Sequence, residues 1–462
     1  MKIIMSYIKN ILLLIICAIF LSCSFEQKDS SEVVVQVNGR KFLEEEIAYA
    51  YEMAPSNLTK LGKEKSLNII THKMINRKLL ADEAQARNLQ KEPLIQRLVN
   101  FYEDAEIIRQ LYLKHIRDSV VISSEEIEEN FHRSNAGLLV KHYTTKDIKK
   151  AKRLYLENEI PEHIPLLSGT RERYNLRYGN FDSIEWNILD KRIEDILYGL
   201  PLGETSRPIP HEGKFHLFKV VDKEINIFAT ESEFRERHAS IKSVIQKRKE
   251  HRRAFRFVRR IMKPEELVLK GAVLNNLAEY IHAQYQNFDR PQIKLNNAEI
   301  NLAELKASGL FDSRVAVYKS GAITVSDFFF NNRVNPQPIT IKSKASVRHD
   351  LADILAIYVR DRIFAQLGRR EGLDENPAVK KEKQKWAEKI LANKLKRELY
   401  NDVIKQYDDD KIISEKYQDI LQDLVLNLRN NASVSIDKDK LYRIKTSDQG
   451  LSRKIDFFAK RL

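Results

Sequence analysis

Along most of the chain the apolar positions recur every three to four residues, the spacing that lays one face of an α-helix against a core. Phe42 leads into such a helix through Glu44-Glu45-Glu46, acids placed where a helix N-terminus favours negative charge. Two or three further helices are expected from Met74, Ile75, Leu79 and Leu80, and then from Leu94, Leu98, Ile107, Ile108, Leu111 and Leu113. β-Branched runs are short. Val33 to Val37 predicts a strand that ends in the turn pair Asn38-Gly39. Ser433 to Ile436 predicts another, followed by a short helix at Lys440 to Ile444, and an amphipathic helix is expected over Val273 to Phe288.

The pattern occurs twice. Ala316-Val317-Tyr318-Lys319-Ser320-Gly321 matches Val35-Gln36-Val37-Asn38-Gly39 in position and character, and Ala86 to Pro93 lines up with Arg369 to Pro377. Asn88 then meets Gly372, Leu89 meets Leu373, Pro93 meets Pro377, Tyr102 meets Trp386 and Leu111 meets Leu395. The exits Val121-Ile122-Ser123 and Ile412-Ile413-Ser414 correspond as well. This reads as an internal duplication of a helical module of roughly a hundred residues, too long for a solenoid repeat.

Between the copies, Thr230 and Glu233 form a capping box at the head of a long helix. Its apolar stripe is Phe234, Ile241, Val244, Ile245, Phe255, Val258 and Ile261, and its other face is crowded with Arg and Lys from Arg235 to Arg260. That basic face is either a solvated surface or one that meets clients or lipid. The acid run Asp408-Asp409-Asp410 reads as a solvated turn.

Composition and the N-terminus narrow the setting. Lys2 and Lys9 precede the apolar run Ile11 to Leu21, which is too short to span a bilayer and ends at Leu21-Ser22-Cys23. This is an export signal, and the small residue before Cys23 resembles a bacterial lipobox, implying that Cys23 is the lipid-bearing first residue. Ser24, rather than Asp, follows the anchor, which favours the outer membrane over the inner. Cys17 lies within the signal, so the exported chain has no cysteine besides the anchor and forms no internal disulfide, thiol nucleophile or zinc–thiolate site. Net charge is +14 over 462 residues, and losing Lys2 and Lys9 leaves +12. Export argues against nucleic acid as the counter-charge and leaves anionic head groups or acidic unfolded polypeptides. No HExxH, Walker, GxSxG or Rossmann glycine pattern is present, the histidines lack metal-ligand spacing, and no cofactor or metal is expected.

The stretch LPLGETSRPIPHEGKFHLFKV, Leu200 to Val220, carries the strongest family signal. It resembles the last strand of parvulin-type peptidyl-prolyl isomerases, with identity at Leu200, Gly203, Glu204, Ser206, Pro208, His216, Lys219 and Val220. The first parvulin strand fits at LLVKHYTTKDIKKAKRL, where Ala151 follows His142 by nine residues. The resemblance implies that His142 and His216 are the paired catalytic histidines. It places Leu189 at the pocket methionine, Ile193 at the pocket phenylalanine and His211 at a usual Thr or Ser. Asp182 is the nearest acid to the family's Cys/Asp position, while Asn175 to Phe181 replaces the glycine-rich loop, and Ile160 to Thr170 matches poorly. Isomerising an X-Pro bond needs no covalent step. An apolar pocket that grips the proline ring and favours the twisted amide lowers a barrier of about 18–20 kcal/mol. Leu189 and Ile193 keep that pocket apolar but remove its flat aromatic wall, so weak or absent isomerase activity is expected.

A strand–turn–helix opening followed by amphipathic helices is similar to the N-terminal chaperone module of SurA-like periplasmic proteins. The likeness covers about Val33 to Met262, and Val315 to Leu428 more weakly. The expected fold is α+β, mostly α, with duplicated SurA-N-like helical modules flanking one parvulin-like α/β domain. In chain order the expected parts are a signal (1–22), a tether (23–32), the first helical module (33–135) and the parvulin-like domain (136–224). A basic helix closing the first module (225–262), a connecting segment (263–313), the second module (314–430) and a C-terminal tail (431–462) follow. The implied function is a lipid-anchored periplasmic chaperone whose partners are unfolded exported or outer-membrane polypeptides. Its alternatives are an active peptidyl-prolyl isomerase and an accessory subunit of an envelope protein-assembly machine.

Overall fold

The computed structural model describes residues 32–164, 181–225, 230–287, 290–295 and 300–445. The signal, Cys23, the tether up to Ser31, and the segments 165–180 and 446–462 lie outside these residues, as does the expected helix end at Phe288. The fold is α+β and mostly α: long helices with small antiparallel sheets. Among the described residues no helix is long and apolar enough to cross a membrane.

The chain opens with the hairpin β1 (Val33–Val37) and β2 (Arg40–Leu43). Its two-residue turn places Asn38 at φ 45° and Gly39 at φ 83°, the left-handed pair that matches strand twist. α1 (Glu44–Glu52) and α2 (Lys63–Ala86) follow, then a turn led by Asn88 in the left-handed region and α3 (Pro93–Tyr112), with Pro93 at its first position. α4 (Ser124–Ser134) leads into β3 (Ala136–Thr145), α5 (Ile148–Leu156), β4 (Asp182–Ile184), α6 (Lys191–Gly199), β5 (Ile209–His211) and β6 (Lys214–Ile225). The 32-residue helix α7 (Glu231–Met262) starts at the Thr230 capping box. Next come β7 (Val268–Leu269), α8 (Gly271–Tyr285), β8 (Gln292–Lys294) and α9 (Leu302–Ala307). The second hairpin, β9 (Arg314–Tyr318) and β10 (Gly321–Thr324), is followed by α10 (Val325–Val334), β11 (Pro338–Thr340) and α11 (Lys344–Arg370). α12 (Pro377–Ile404), α13 (Asp410–Asn430), β12 (Val434–Ile436) and α14 (Lys438–Arg443) complete the described chain.

These elements form two compact units that do not follow the consecutive boundaries expected from the sequence. Unit 1 takes residues up to Ile107 and from Gly372, and unit 2 takes Ile108–Glu371. In unit 1, β12 pairs with β1 beside the hairpin, and Leu441 and Ile444 are sealed into the core of Val35, Phe42, Ile47, Leu67 and Ile75. Residues 431–445 are thus part of a core, not a tail. α2 packs along α12, with Leu80, Ala81 and Ala84 against Leu391, Ala392 and Leu395. Tyr102 stacks on Trp386 at 3.5 Å between centroids.

Unit 2 is built on the same plan from other segments. β7 pairs with β9 beside the second hairpin, and α8 packs on α11. The segment expected to be a connector therefore supplies a strand and a core helix, with Leu274, Leu277 and Ile281 buried. α7 falls in this unit, packing on α4 through Ile241 and Ile245 and setting Phe257 5.5 Å from Phe364. Its buried stripe rotates along its length, because α4 covers only its first half. Phe255, placed in the stripe by periodicity, is 46% exposed, and Phe257 is buried in its stead.

The two hairpins are closed alike from outside. Asn38 donates its main-chain N–H to Ser433 O, just before β12, and Lys319 N–H goes to Glu265 O, just before β7. The second turn has no left-handed residue; the Glu265 carboxylate instead accepts from Ser320 N–H and Oγ.

Candidate functional site

The region from 136 to 225 forms a four-stranded antiparallel sheet in the order β4-β3-β6-β5. Strand period two decides which face each side chain meets. Leu138, Val140 and His142 on β3 share a face with His216, Phe218 and Val220 on β6, and α6 covers it with Ile193 and Leu197. Tyr143 and Leu217 face the other way, against Ala151 and Leu154 of α5. The turn before β5 is held by Asn158, which accepts from Thr205 N–H at 2.7 Å and donates to Gly203 O at 3.0 Å. Gly203 sits at φ 77°, a conformation that explains the glycine in this signature. Ser206 is buried and locked to β6: its N–H goes to Phe218 O and its Oγ accepts from Phe218 N–H.

The alternation brings His142 and His216 together. In the sheet His142 pairs with Phe218 and Thr144 with His216, so the two histidines are diagonal neighbours on one face. His142 Nε2 and His216 Nδ1 are 2.9 Å apart, and the rings lie at 5.1 Å. Phe218 stacks on His142 at 4.9 Å.

The hydrogens can be assigned from the ends of this chain. His142 Nδ1 is 2.6 Å from Ile164 O, which only accepts, so Nδ1 carries a hydrogen. Burial pushes His142 down to about 4, so near neutral pH its Nε2 is bare and accepts from His216 Nδ1–H. Burial, with the nearby His211, lowers His216 too. Neutral His216 then has a bare, buried Nε2 with no hydrogen-bond partner among the described residues.

A third histidine, which no sequence pattern marks, stands behind the pair. His163 Nδ1 accepts from the main-chain N–H of His142 at 3.2 Å, so its own hydrogen is on Nε2, 3.7 Å from Asp182 Oδ1. Asp182 therefore faces His163. The signal for His163 is only the return of 163–164 to the β3 edge, where Ile164 N–H bonds His142 O at 2.7 Å.

The other expected site residues divide. Leu189 and Ile193 lie on the histidine face, but Ile193 is 5% exposed and packed among Leu138, Val140 and Phe218. Leu189 is held by its N–H to Glu194 Oε1 at 3.2 Å. Glu194 is wholly buried and meets the Arg248 guanidinium of α7 at 2.8 Å, which ties α6 to the long helix. A second tie runs from Trp186 Nε1 to Asn130 Oδ1 of α4 at 3.0 Å. His211 is on the sheet's rim, partly exposed, with its ring 5.6 Å from that of His216. Among the described residues no group of three His, Cys, Asp or Glu side chains could hold a metal ion.

With this geometry in hand, no protein-family model matches the chain and no curated protein matches it. Solved structures do. The chain is similar to SurA-like chaperones and parvulin-type peptidyl-prolyl isomerases. One match comes from the work on two structurally related SurA-like chaperones of Campylobacter jejuni, the virulence factor PEB4 and the periplasmic protein Cj1289. It is 16% identical, covers 50% of this chain and 97% of that one, and has a TM-score of 0.21. The peptidylprolyl isomerase PrsA of Bacillus cereus is 15% identical over 48% of this chain and 86% of its own, with a TM-score of 0.19. The foldase PrsA of Streptococcus pneumoniae is 12% identical over 47% and 87%, with a TM-score of 0.21. At such scores the functional reading rests on the site's own geometry.

Proposed function

We propose that this chain is a lipid-anchored periplasmic folding chaperone that holds unfolded exported or outer-membrane polypeptides, with a parvulin-like domain of weak or absent isomerase activity. Cys23 would carry the lipid, and the outer membrane is the preferred membrane. The observation that carries the reading is the sealing of Ile193. A wall for a proline ring must present surface to it, and this side chain is spent on the core. His142, at 3% exposure, is equally enclosed. Among the described residues, the positions the resemblance gives to the proline pocket hold Leu189 and a sealed Ile193 in place of an open aromatic wall, which suits a spacer or holding surface better than a site of turnover. The test is a light-scattering assay. The purified chain is expected to suppress aggregation of an unfolded outer-membrane protein, and if it neither does so nor binds that protein the reading is wrong.

A second reading, active isomerisation, is favoured by the buried Nε2 of His216, an acceptor that no donor meets among the described residues. It predicts faster cis-to-trans exchange in a proline peptide, slowed by His142→Ala or His216→Ala. A rate equal to the uncatalysed one, tens to hundreds of seconds, removes it. Co-purification with one stoichiometric envelope partner would instead favour an assembly-machine subunit.

A further inference from the structure

Unit 1 carries a cluster of cations that the fold neutralises only in part. Arg77 on α2 and Lys396 on α12 are partly buried, and burial lowers the pKa of both, while Lys389 beside them on α12 is exposed. Arg77 is balanced in part by Glu388 and Glu46, and Lys389 lies 4.4 Å over the Trp386 ring. Lys396 has no such compensation among the described residues: the charge that acts on it is that of Arg77, which repels it.

Lys396 opens onto a cavity of about 350 Å³ formed by α2, α12 and α13. Besides Lys396, its polar lining is Asn76, Gln418, Gln422 and Arg429, and its apolar wall includes Leu80 and Leu426. Leu426 is 51% exposed, although it is a large aliphatic side chain. Arg429 is fixed in place by Asn76 Oδ1 at 2.7 Å and by the His72 main-chain oxygen at 3.4 Å. Among the described residues no carboxylate lines the cavity.

We propose that this cavity binds a carboxylate carried on an apolar polypeptide segment, an Asp or Glu side chain flanked by aliphatic residues. Charge complementarity selects the acid. A carboxylate entering here gains a charge-assisted hydrogen bond from a partly desolvated ammonium, which is stronger than one formed in open water. The wall selects what carries it, because Leu80 and Leu426 gain only if aliphatic groups cover them. The glutamine amides offer a donor and an acceptor to the segment's main chain. This rests on the reading of the chain as a holder of unfolded polypeptides and names the sequence character it would prefer.

The experiment is fluorescence anisotropy with the intact chain and a fluorescein-labelled extended peptide carrying one Glu among Leu and Ser. Changing that Glu to Gln should weaken binding roughly tenfold, the size of a charge-assisted bond. Lys396→Met should cost about as much with the Glu peptide and nothing further with the Gln peptide, while Lys396→Arg should keep the preference. An amine-reactive ester should modify Lys396 in the free protein, and the Glu peptide should protect it. Equal affinity for the two peptides, or no protection, overturns the proposal; so does decanoate displacing the label while unlabelled peptide does not. Aggregation suppression is measured in parallel, so that the two readings fail separately. Suppression without a Glu preference removes this site alone, and a Glu preference without suppression removes the chaperone reading alone.

Discussion

The helix after each hairpin faces the same problem, unpaired N–H groups at its start, and the two units solve it differently. In unit 2 the Thr324 hydroxyl accepts from Asp327 N–H at 3.1 Å, and the Asp327 carboxylate accepts from Thr324 N–H at the same distance. The equivalent helix of unit 1 follows Leu43, which has no acceptor to offer. Glu46 takes the Leu43 N–H at 3.1 Å, and its other oxygen binds Arg40 at 2.9 Å. Arg40 in turn lies 3.4 Å from Glu388 on α12. One helix is started by its neighbours in sequence. The other leans on a charge almost 350 positions away, so a local device and a long-range one stand at the same place in one plan.

The strongest way to break the comparison is Glu388→Ala. Glu388 is buried, and its loss leaves Arg40 and Arg77 short of a counter-charge, so a cost of roughly 3–5 kcal/mol is expected in unit 1. Hydrogen exchange should show it: amides of 33–107 and 372–445 lose protection, while those of 108–371 keep theirs.

Acid is expected to act on unit 2. His142 falls from 6.5 to about 4 on folding, so the folded state favours the neutral ring. The stabilisation is present above the unfolded value and is lost as pH drops from 6.5 towards 4, about 3 kcal/mol in all. Denaturant unfolding across that range should slope accordingly, and His142→Phe should flatten the slope. The smallest effect belongs to the local cap. Thr324→Ala should cost about 1 kcal/mol, whereas Leu43→Ala should show no loss of capping. Equal losses at the two positions would erase the distinction between the units.

Much of the candidate site is legible in the amino-acid sequence. Strand alternation places Val140 and His142 on one face, His216 and Phe218 on another strand's equivalent face, and the Leu200–Val220 signature sets the register that joins them. His163 is invisible there because it lies in an irregular segment where no periodicity operates, and its role depends on a main-chain contact. The helices are legible for the same reason as the strands, yet periodicity tells only that a face is covered, not by what. That is why the apolar stripe expected for α7 includes Phe255, which lies where its partner α4 has ended, and omits Phe257. It is also why the duplication is visible in the Asn88 and Gly372 turns, both left-handed, while the pairing of α2 with α12 is not.

The make-up of unit 1 has a consequence for the order of events at synthesis. Its hairpin and α2 leave the ribosome early, but the strand, helices and core residues that complete it lie beyond residue 371. Among the described residues unit 2 is one uninterrupted stretch of chain and can close first. The early half of unit 1 must therefore remain open through the making of some 260 residues, counted from Ile108 to Glu371, with Leu67, Ile75 and Leu80 uncovered. A chain cut at 371 should yield a protected unit 2 attached to an aggregation-prone N-terminal segment. Adding residues 372–445 as a separate polypeptide should rescue it.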